Sequence, residues 1–360
     1  MSLIQDILRT TEVDESVLSA EQRKALRDIR RCRTPELGGV KIHCNSCGSD
    51  FYHYRSCGNR NCPVCQGMKQ AIWVEERLSE AVDVPYYHAV FTVPSELNQT
   101  FLGKPREMYD ILFSAASDTL LTLGMDRDRL GGKIGFICVL HTWGASLTFH
   151  PHLHVILPAC GLSGDKLVRP KHDGFLFPVR VMSELFRGKF LDRMQRAGFT
   201  VPVAACRKDW VVYVKDTSHA GENVISYLGR YTHRVAISDS RIQAVSDSDV
   251  TISYKDYRDH CVKEMTLSRS EFVRRFLLHV LPRGFRKIRF YGLLANRNRK
   301  KSLKTLRRLL NCTVHVNRFK DLTKVEILSL LYDRDYSVCP CCGSHDLLTE
   351  TLLPETRLLS

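Results

Sequence analysis

Two apolar runs, Lys133–Thr142 and His150–Pro158, are separated only by Trp143–Phe149, a connection that contains Gly144 and Ser146. So short a link forces antiparallel pairing, because parallel strands need a crossover of a dozen or more residues. A hairpin centred near residues 146–147 sets His141 opposite His152. His152 and His154 flank Leu153, and strand side chains alternate, so both point to one side. Cross-strand neighbours on one face lie about 5 Å apart. The sequence therefore predicts His152 and His154 on one sheet face as metal ligands, with His141 across the hairpin as the third, or a Glu, Asp or Gln from elsewhere in its place. His150 shares their parity but stands before Pro151 at the strand edge. A lone histidine on an apolar strand is usually a core residue, whereas a pair with a third across the hairpin has ligand geometry. Imidazole favours transition metals and Mg²⁺ prefers oxygen. Mn²⁺ accepts mixed ligands, and Mg²⁺ can bind where a substrate phosphate adds oxygens. The expected catalytic ion is Mg²⁺ or Mn²⁺.

About 70 residues later comes Ser226-Tyr227-Leu228-Gly229-Arg230-Tyr231-Thr232-His233-Arg234. Glu222–Arg234 reads as a helix, and residues four apart share a helix face. Tyr227 and Tyr231 alone would fit a buried aromatic stripe; beside the histidine strand they read as nucleophiles. A phenol is weak at neutral pH, its pKa being near 10, but a nearby metal with Arg230 or Arg234 favours phenolate. Attack on a phosphodiester would leave a covalent phosphotyrosine that conserves the bond for rejoining.

The chain has 14 cysteines. The first ten residues contain Asp6 and Arg9, so they do not read as an export signal. No run of about 20 apolar residues offers a membrane span. The cysteines therefore read as thiols and zinc ligands of a reducing compartment, the cytoplasm. Cys44-x-x-Cys47 and Cys62-x-x-Cys65, with 14 residues between them, have zinc-ribbon spacing. Cys32 and Cys57 are spare, and Cys57 can replace one of the four. Cys339 and Cys342 form a further knuckle, for which Cys312-x-x-His315 offers partners for a possible second zinc.

A formal charge of +14 favours an anionic partner. Arg283 to Arg308 contains Arg283, Arg286, Lys287, Arg289, Arg297, Arg299, Lys300 and Lys301 among eleven cations and no acid. Phe285, Phe290 and Tyr291 interleave, so cations for phosphates and rings for unpaired bases are expected here. Arg55 and Arg60 add cations between the cysteine pairs. A length of 360 residues implies more than one domain. Residues 1–80 read as helical and zinc-binding, with loops at 41–67; 81–265 as the catalytic core; and 266–360 as a basic DNA-binding region. Met108–Gly124 and Ser183–Ala197 read as helices and Ala244–Tyr254 as a hairpin. Ser268-x-x-Glu271 reads as a capping box opening a helix at Phe272–Val280.

These residues carry a family likeness. The chain resembles the rolling-circle insertion-sequence transposases of the IS91 family, two-tyrosine members of the HUH endonucleases. The likeness runs over nearly the whole chain. It includes Cys32-Arg33-Thr34, Ser56-Cys57-Gly58-Asn59-Arg60-Asn61-Cys62-Pro63-Val64-Cys65-Gln66, Phe91-Thr92-Val93-Pro94 and His141-Thr142-Trp143-Gly144. It continues through His150–His154, Tyr227–Ser238 and Phe276–Pro282. One departure is Asn61, where the family pattern has histidine. The resemblance implies an α+β fold: an HUH core of antiparallel sheet with flanking helices, preceded by a helical zinc-ribbon domain and followed by a basic helical region. His152 and His154 match the HUH ligands, and Tyr227 and Tyr231 the two tyrosines. It implies nicking and rejoining of single-stranded or hairpin DNA at element ends through a 5′-phosphotyrosine, in a bacterial cytoplasm at the nucleoid. A replication initiator or relaxase would use the same chemistry, and a zinc-ribbon regulator would bind DNA without cutting it. No Gly-x-x-x-x-Gly-Lys phosphate loop is present, so no helicase is expected.

Overall fold

Amphipathic periodicity and local capping start the chain as two helices, α1 (Leu3–Thr10) and α2 (Ala20–Arg30). Ser19 and Gln22 close a capping box on α2. The computed structural model describes residues 2–171, 177–217, 229, 235–256 and 259–355. Part of the stretch expected as loops is a hairpin, β1 (Gly39–Cys44) with β2 (Asp50–Tyr54), which leads to α3 (Gln66–Leu78). Strand β3 (Tyr86–Thr92) follows, then the short α4 (Asn98–Gly103) and the long α5 (Pro105–Met125).

The expected hairpin is β4 (Lys133–Trp143) and β5 (Phe149–Pro158). His141 pairs with His152, the register expected from the sequence, with an irregularity between His141 and Trp143. Short strands β6 (Gly161–Ser163) and β7 (Lys166–Val168) precede α6 (Val179–Arg196), α7 (Val203–Arg207) and β8 (Val212–Asp216). The 242–268 region is a three-stranded sheet of β9 (Ile242–Val245), β10 (Asp249–Lys255) and β11 (Val262–Ser268). Ser268 caps α8 (Arg269–Leu277) by accepting from the Glu271 amide. The Glu271 carboxylate instead pairs with Arg274 and Arg275, so the capping box is half made. Strand β12 (Ile288–Gly292), α9 (Arg299–Leu310), α10 (Lys324–Tyr332) and β13 (Leu347–Leu352) complete the described chain.

The main sheet is antiparallel, in the order β7-β6-β4-β5-β3-β8, with β12 also paired to β4. The protein is thus α+β, with helices packed on antiparallel sheets. Alternation gives the sheet two apolar faces. Phe91, Phe136, Cys138, Leu140, Leu153 and Val155 face α5 and α6, whose Leu112, Phe113, Phe186 and Phe190 are buried against them. Ile137, Val139 and Ile156 point the other way, toward Trp73 of α3 and Leu303 and Leu306 of α9. The histidines belong to this second face, because His141 follows Val139 in parity and His154 precedes Ile156. A separate core joins α1 and α2 to β9, β10 and α8, and takes in Cys32 and Cys62. Among the described residues no helix is long and apolar enough to cross a membrane.

His279, 5% exposed, lies beyond α8 with Nδ1 3.2 Å from Thr142 Oγ1. Burial pulls its pKa down to about 4, although a hydrogen bond to the Leu147 carbonyl opposes this. The unfolded histidine titrates near 6.5. Between those values the unfolded chain binds the extra proton, so the contribution is complete above about pH 6.5 and is lost as pH falls toward 4. A shift of this size corresponds to about 3 kcal/mol at most. The urea midpoint of wild type should drop more between pH 7 and pH 5 than that of His279→Gln. Equal drops would contradict this assignment.

Candidate functional site

Cys32, Cys57, Cys62 and Cys65 bring four sulfurs within 4.8 Å of one another. Cys32 Sγ lies 3.5 Å and Cys57 Sγ 3.7 Å from Cys65 Sγ. These are too long for a disulfide and close to the edge of about 3.8 Å expected for a tetrahedron of thiolates at about 2.3 Å from zinc. Backbone N–H groups of Cys57 and Asn59 donate to the sulfurs of Cys32 and Cys57. Hydrogen bonds from Cys32, Cys57 and Cys62 push the Cys65 thiol down. Cys65 is also the residue from which α3 departs.

A second set joins Cys44 and Cys47 to Cys339 and Cys342. Cys44 Sγ lies 3.6 Å from Cys342 Sγ, and Cys47 Sγ 3.7 Å from Cys339 Sγ. The single ribbon of Cys44, Cys47, Cys62 and Cys65 expected from spacing is therefore corrected to two separate four-cysteine clusters. The proposed Cys312 and His315 partners are corrected as well. Cys312 accepts from the Asp83 amide at 3.1 Å. His315 contacts the carboxylate of Glu75, which is 2% exposed and also holds Arg318. That buried carboxylate needs cations, which is a structural reason for His315 to be there.

The two knuckles that meet share a local code. Cys44-Asn45-Ser46-Cys47-Gly48-Ser49 and Cys339-Pro340-Cys341-Cys342-Gly343-Ser344 are the same Cys-x-x-Cys-Gly-Ser pattern. In each, the glycine amide donates to the first cysteine's carbonyl and the glycine has positive φ, +71° and +75°. Such a φ favours glycine. Cys62-x-x-Cys65 lacks this turn and runs into a helix. The repeated hexapeptide was the signal that pairs Cys44 with the tail.

The third cluster is His141, His152 and His154, whose ligand nitrogens all lie within 4.8 Å. The Nε2 atoms of His152 and His154 are 3.1 Å apart. Ligands at right angles on an ion about 2.1 Å away would be about 3.0 Å apart. His152 Nδ1 lies 2.7 Å from the His150 carbonyl, to which it donates, leaving the Nε2 lone pair pointing inward. His154 Nδ1 lies 2.8 Å from Nε2 of His88, a buried residue of β3 that sequence reasoning missed. Its signal was weak: His88 stands alone in an apolar strand, and only the β3–β5 register brings it beside His154. Burial holds His152 and His88 down, each to about 4, so both imidazoles are neutral at physiological pH, the form that binds metals. His141 is 2% exposed and stacks on Trp143 at 4.5 Å.

Tyr227, Tyr231, Arg230 and Arg234 lie outside the described residues. Gly229, between the tyrosines, is described: it is helical and buried. A Cβ there would fall 2.0 Å from Cγ2 of Val74, so only glycine allows this approach to α3. Val74 packs on the cluster of Ile137, Val139 and Ile156, which is on the histidine face.

The cations of the basic segment divide. Arg283, Arg286, Arg297, Lys300 and Lys301 are exposed, as is Arg55 in the zinc region. Four others are engaged within the protein. Arg60 donates to the carbonyls of Phe285 and Pro282. Lys287 sits over Trp143, its pKa pulled down to about 7 by burial and by Arg60. Arg289 pairs with Asp110 and lies over Phe113, and Arg299 pairs with Glu80 over Phe290. The interleaved rings are also corrected. Phe285 is 3% exposed, and Phe290 and Tyr291 lie in β12 against β4, so they pack inward rather than toward bases.

Clustered thiols, a triad of imidazoles and a basic surface fit a metal-binding protein that acts on nucleic acid. Comparison with known proteins agrees. Residues 4–93 match a family described as "Transposase zinc-binding domain", and residues 135–302 one described as "Putative transposase". The chain is 38% identical to the "Putative transposase y4qJ" of Sinorhizobium fredii (strain NBRC 101917 / NGR234), over 92% of this chain and 89% of that protein. It is 28% identical to the "Transposase for insertion sequence element IS801" of Pseudomonas savastanoi pv. phaseolicola, over 74% and 68% of the two chains. No solved structure matches. The chain belongs to the IS91-type insertion-sequence transposases.

Proposed function

We propose that this transposase nicks and rejoins single-stranded or hairpin DNA at its element's ends, with HUH-type chemistry and a 5′-phosphotyrosine intermediate. The observation that carries this reading is the convergence of three imidazoles on one sheet face, two of them with Nε2 atoms 3.1 Å apart. Gly229, two residues from each tyrosine, is packed toward the same face. His141, His152 and His154 would hold Mg²⁺ or Mn²⁺, with substrate phosphate completing the oxygen ligands. A bound divalent ion there polarises the scissile phosphate and offsets the charge that builds up on it. The Oη of Tyr227 or Tyr231 bonds to phosphorus as the P–O3′ bond breaks. The phenol proton passes to solvent, and the departing oxygen takes up a proton to become a 3′-OH. That hydroxyl can later attack the phosphotyrosine, reversing the step and joining strands. Residues 1–80 would dock DNA, 81–265 would carry the chemistry, and the exposed cations of 266–360, with Arg55, would hold phosphates.

The direct test incubates purified protein with labelled single-stranded DNA from the element's ends and Mn²⁺, resolved on a denaturing gel. A protein–DNA adduct is expected from wild type and from at least one of Tyr227→Phe and Tyr231→Phe, but not from the double variant. Cleavage without an adduct would instead indicate a metal hydrolase, and binding without cleavage a regulator.

His88 gives this reading a further handle. With an ion on His154 Nε2, the proton of His154 would sit on Nδ1 and be donated to His88 Nε2, 2.8 Å away, which would fix the ring with Nε2 toward the ion. His88→Ala should weaken Mn²⁺ binding about 10- to 100-fold, as loss of a metal ligand's hydrogen-bond partner commonly does. His88→Gln, whose side-chain oxygen can accept the same proton, should recover part of it. Calorimetric titration that finds unchanged affinity in His88→Ala would refute this role.

A further inference from the structure

The domain match described as zinc-binding ends at residue 93, yet half of one cysteine cluster comes from the far end of the chain. We propose that Cys44, Cys47, Cys339 and Cys342 hold a structural zinc ion that clasps the C-terminal segment onto the N-terminal hairpin, in addition to a zinc held by Cys32, Cys57, Cys62 and Cys65.

The donor chemistry fits zinc. Four thiols from two knuckles of the same turn type converge, with contacts of 3.6 and 3.7 Å across the two pairs. Binding expels their protons and leaves four soft thiolates, the set that structural zinc prefers. The pairs are separated by 298 and 292 residues, so no local spacing produces the encounter. The surroundings are built for it. Strand β13 pairs antiparallel with β1 from Gly39–Leu352 to Cys44–Leu347. The Asn45 amide donates to the Asp346 carbonyl at 3.1 Å, and its side chain reaches the Asp346 carboxylate at 2.8 Å.

The sheet β13-β1-β2 has little core of its own. None of the six residues of β13 and none of the five of β2 is buried. Three thin strands with almost no apolar interior are marginal in water. Backbone pairing on so thin a sheet is a weak tether for a terminal segment. A metal clip between the two knuckles supplies what the missing core does not. The zinc module is therefore complete only when the tail has arrived.

Zinc content of the purified full-length protein decides the matter. Wild type should carry two zinc ions per chain and Cys339→Ser/Cys342→Ser one. Amide exchange in the variant should lose protection in 39–54 and 347–352, while β3–β5 stay protected. Cys342→His, which keeps a zinc ligand, should retain two ions. Two ions in the double-serine variant, or one in wild type that survives that substitution, would overturn the clasp. If the double variant is recovered only unfolded, native mass spectrometry of wild type suffices: the mass of two zinc ions supports the clasp and that of one overturns it.

Discussion

Cys62→Ser/Cys65→Ser should fail to fold as wild type does, losing the zinc of the Cys32 cluster and the cooperative melt together. Cys62 is fully buried and Cys32 is 1% exposed, both in the core that joins α1 and α2 to β10 and α8. Without metal, that core would hold buried sulfurs and new hydroxyls facing one another with no ion between them. Zinc binding to small cysteine sites is worth roughly 10–16 kcal/mol at neutral pH, whereas a whole domain is stable by about 5–15 kcal/mol. The loss thus matches or exceeds the margin. It also propagates: Cys65 starts α3, α3 carries Trp73 and Val74, and these cover the sheet face that bears the histidines. Circular dichroism melts with zinc quantification provide the check. Cys206→Ser, at an exposed cysteine outside both clusters, should melt as wild type. A cooperative wild-type melt for Cys62→Ser/Cys65→Ser would show that the cluster is not what holds this core.

This cluster and its neighbour show where the sequence was legible and where it was not. Short-range geometry could be read. A seven-residue connection between two apolar runs fixed the β4–β5 pairing, and strand alternation then put His141 beside His152 and His154. Which knuckle meets which is a long-range matter, and spacing carries no information about it. Cys44 and Cys62 are neighbours in sequence, but a hairpin and a loop turn them to different partners. The glycine and serine after each matching knuckle were the usable clue, because they encode the turn rather than the separation. The basic segment misled for another reason. Its charges and rings suggested contact with DNA, but β12 pairs with β4 and its rings pack on the cores that cover the two faces of that sheet. Arg289 then lies over Phe113 and Phe285 and pairs with Asp110, while Arg299 lies over Phe290 and pairs with Glu80. Charge counts a side chain wherever it points, whereas only the fold shows which cations reach solvent. His88 was hidden because its meaning depends on a third strand.

His152→Ala/His154→Gln should reduce adduct formation at least about 1,000-fold while leaving the fold and metal-free DNA binding nearly intact. A metal that polarises a phosphate contributes several kcal/mol to transition-state stabilisation, and each 1.36 kcal/mol is about tenfold in rate. The two substitutions remove the facing Nε2 atoms 3.1 Å apart and leave only His141 of the cluster. One imidazole on a buried face cannot keep a hard divalent ion against its hydration shell. His154→Gln retains much of the side-chain volume beside His88, and His152 is only partly buried, so the core behind Leu153 and Val155 should keep its packing. The exposed cations that would bind DNA, Arg283, Arg286 and Lys300 among them, are untouched. Three measurements on one preparation separate the possibilities. Mn²⁺ titration followed by electron paramagnetic resonance should show binding in wild type and none in the variant. Single-stranded DNA binding in chelator should agree within about twofold, as expected for phosphate contacts that remain in place. Adduct formation with Mn²⁺ should vanish. Adduct at the wild-type rate in the variant would remove the histidines from the chemistry. Lost DNA binding in chelator would mean that the substitutions act through the fold, because neither residue belongs to the basic surface.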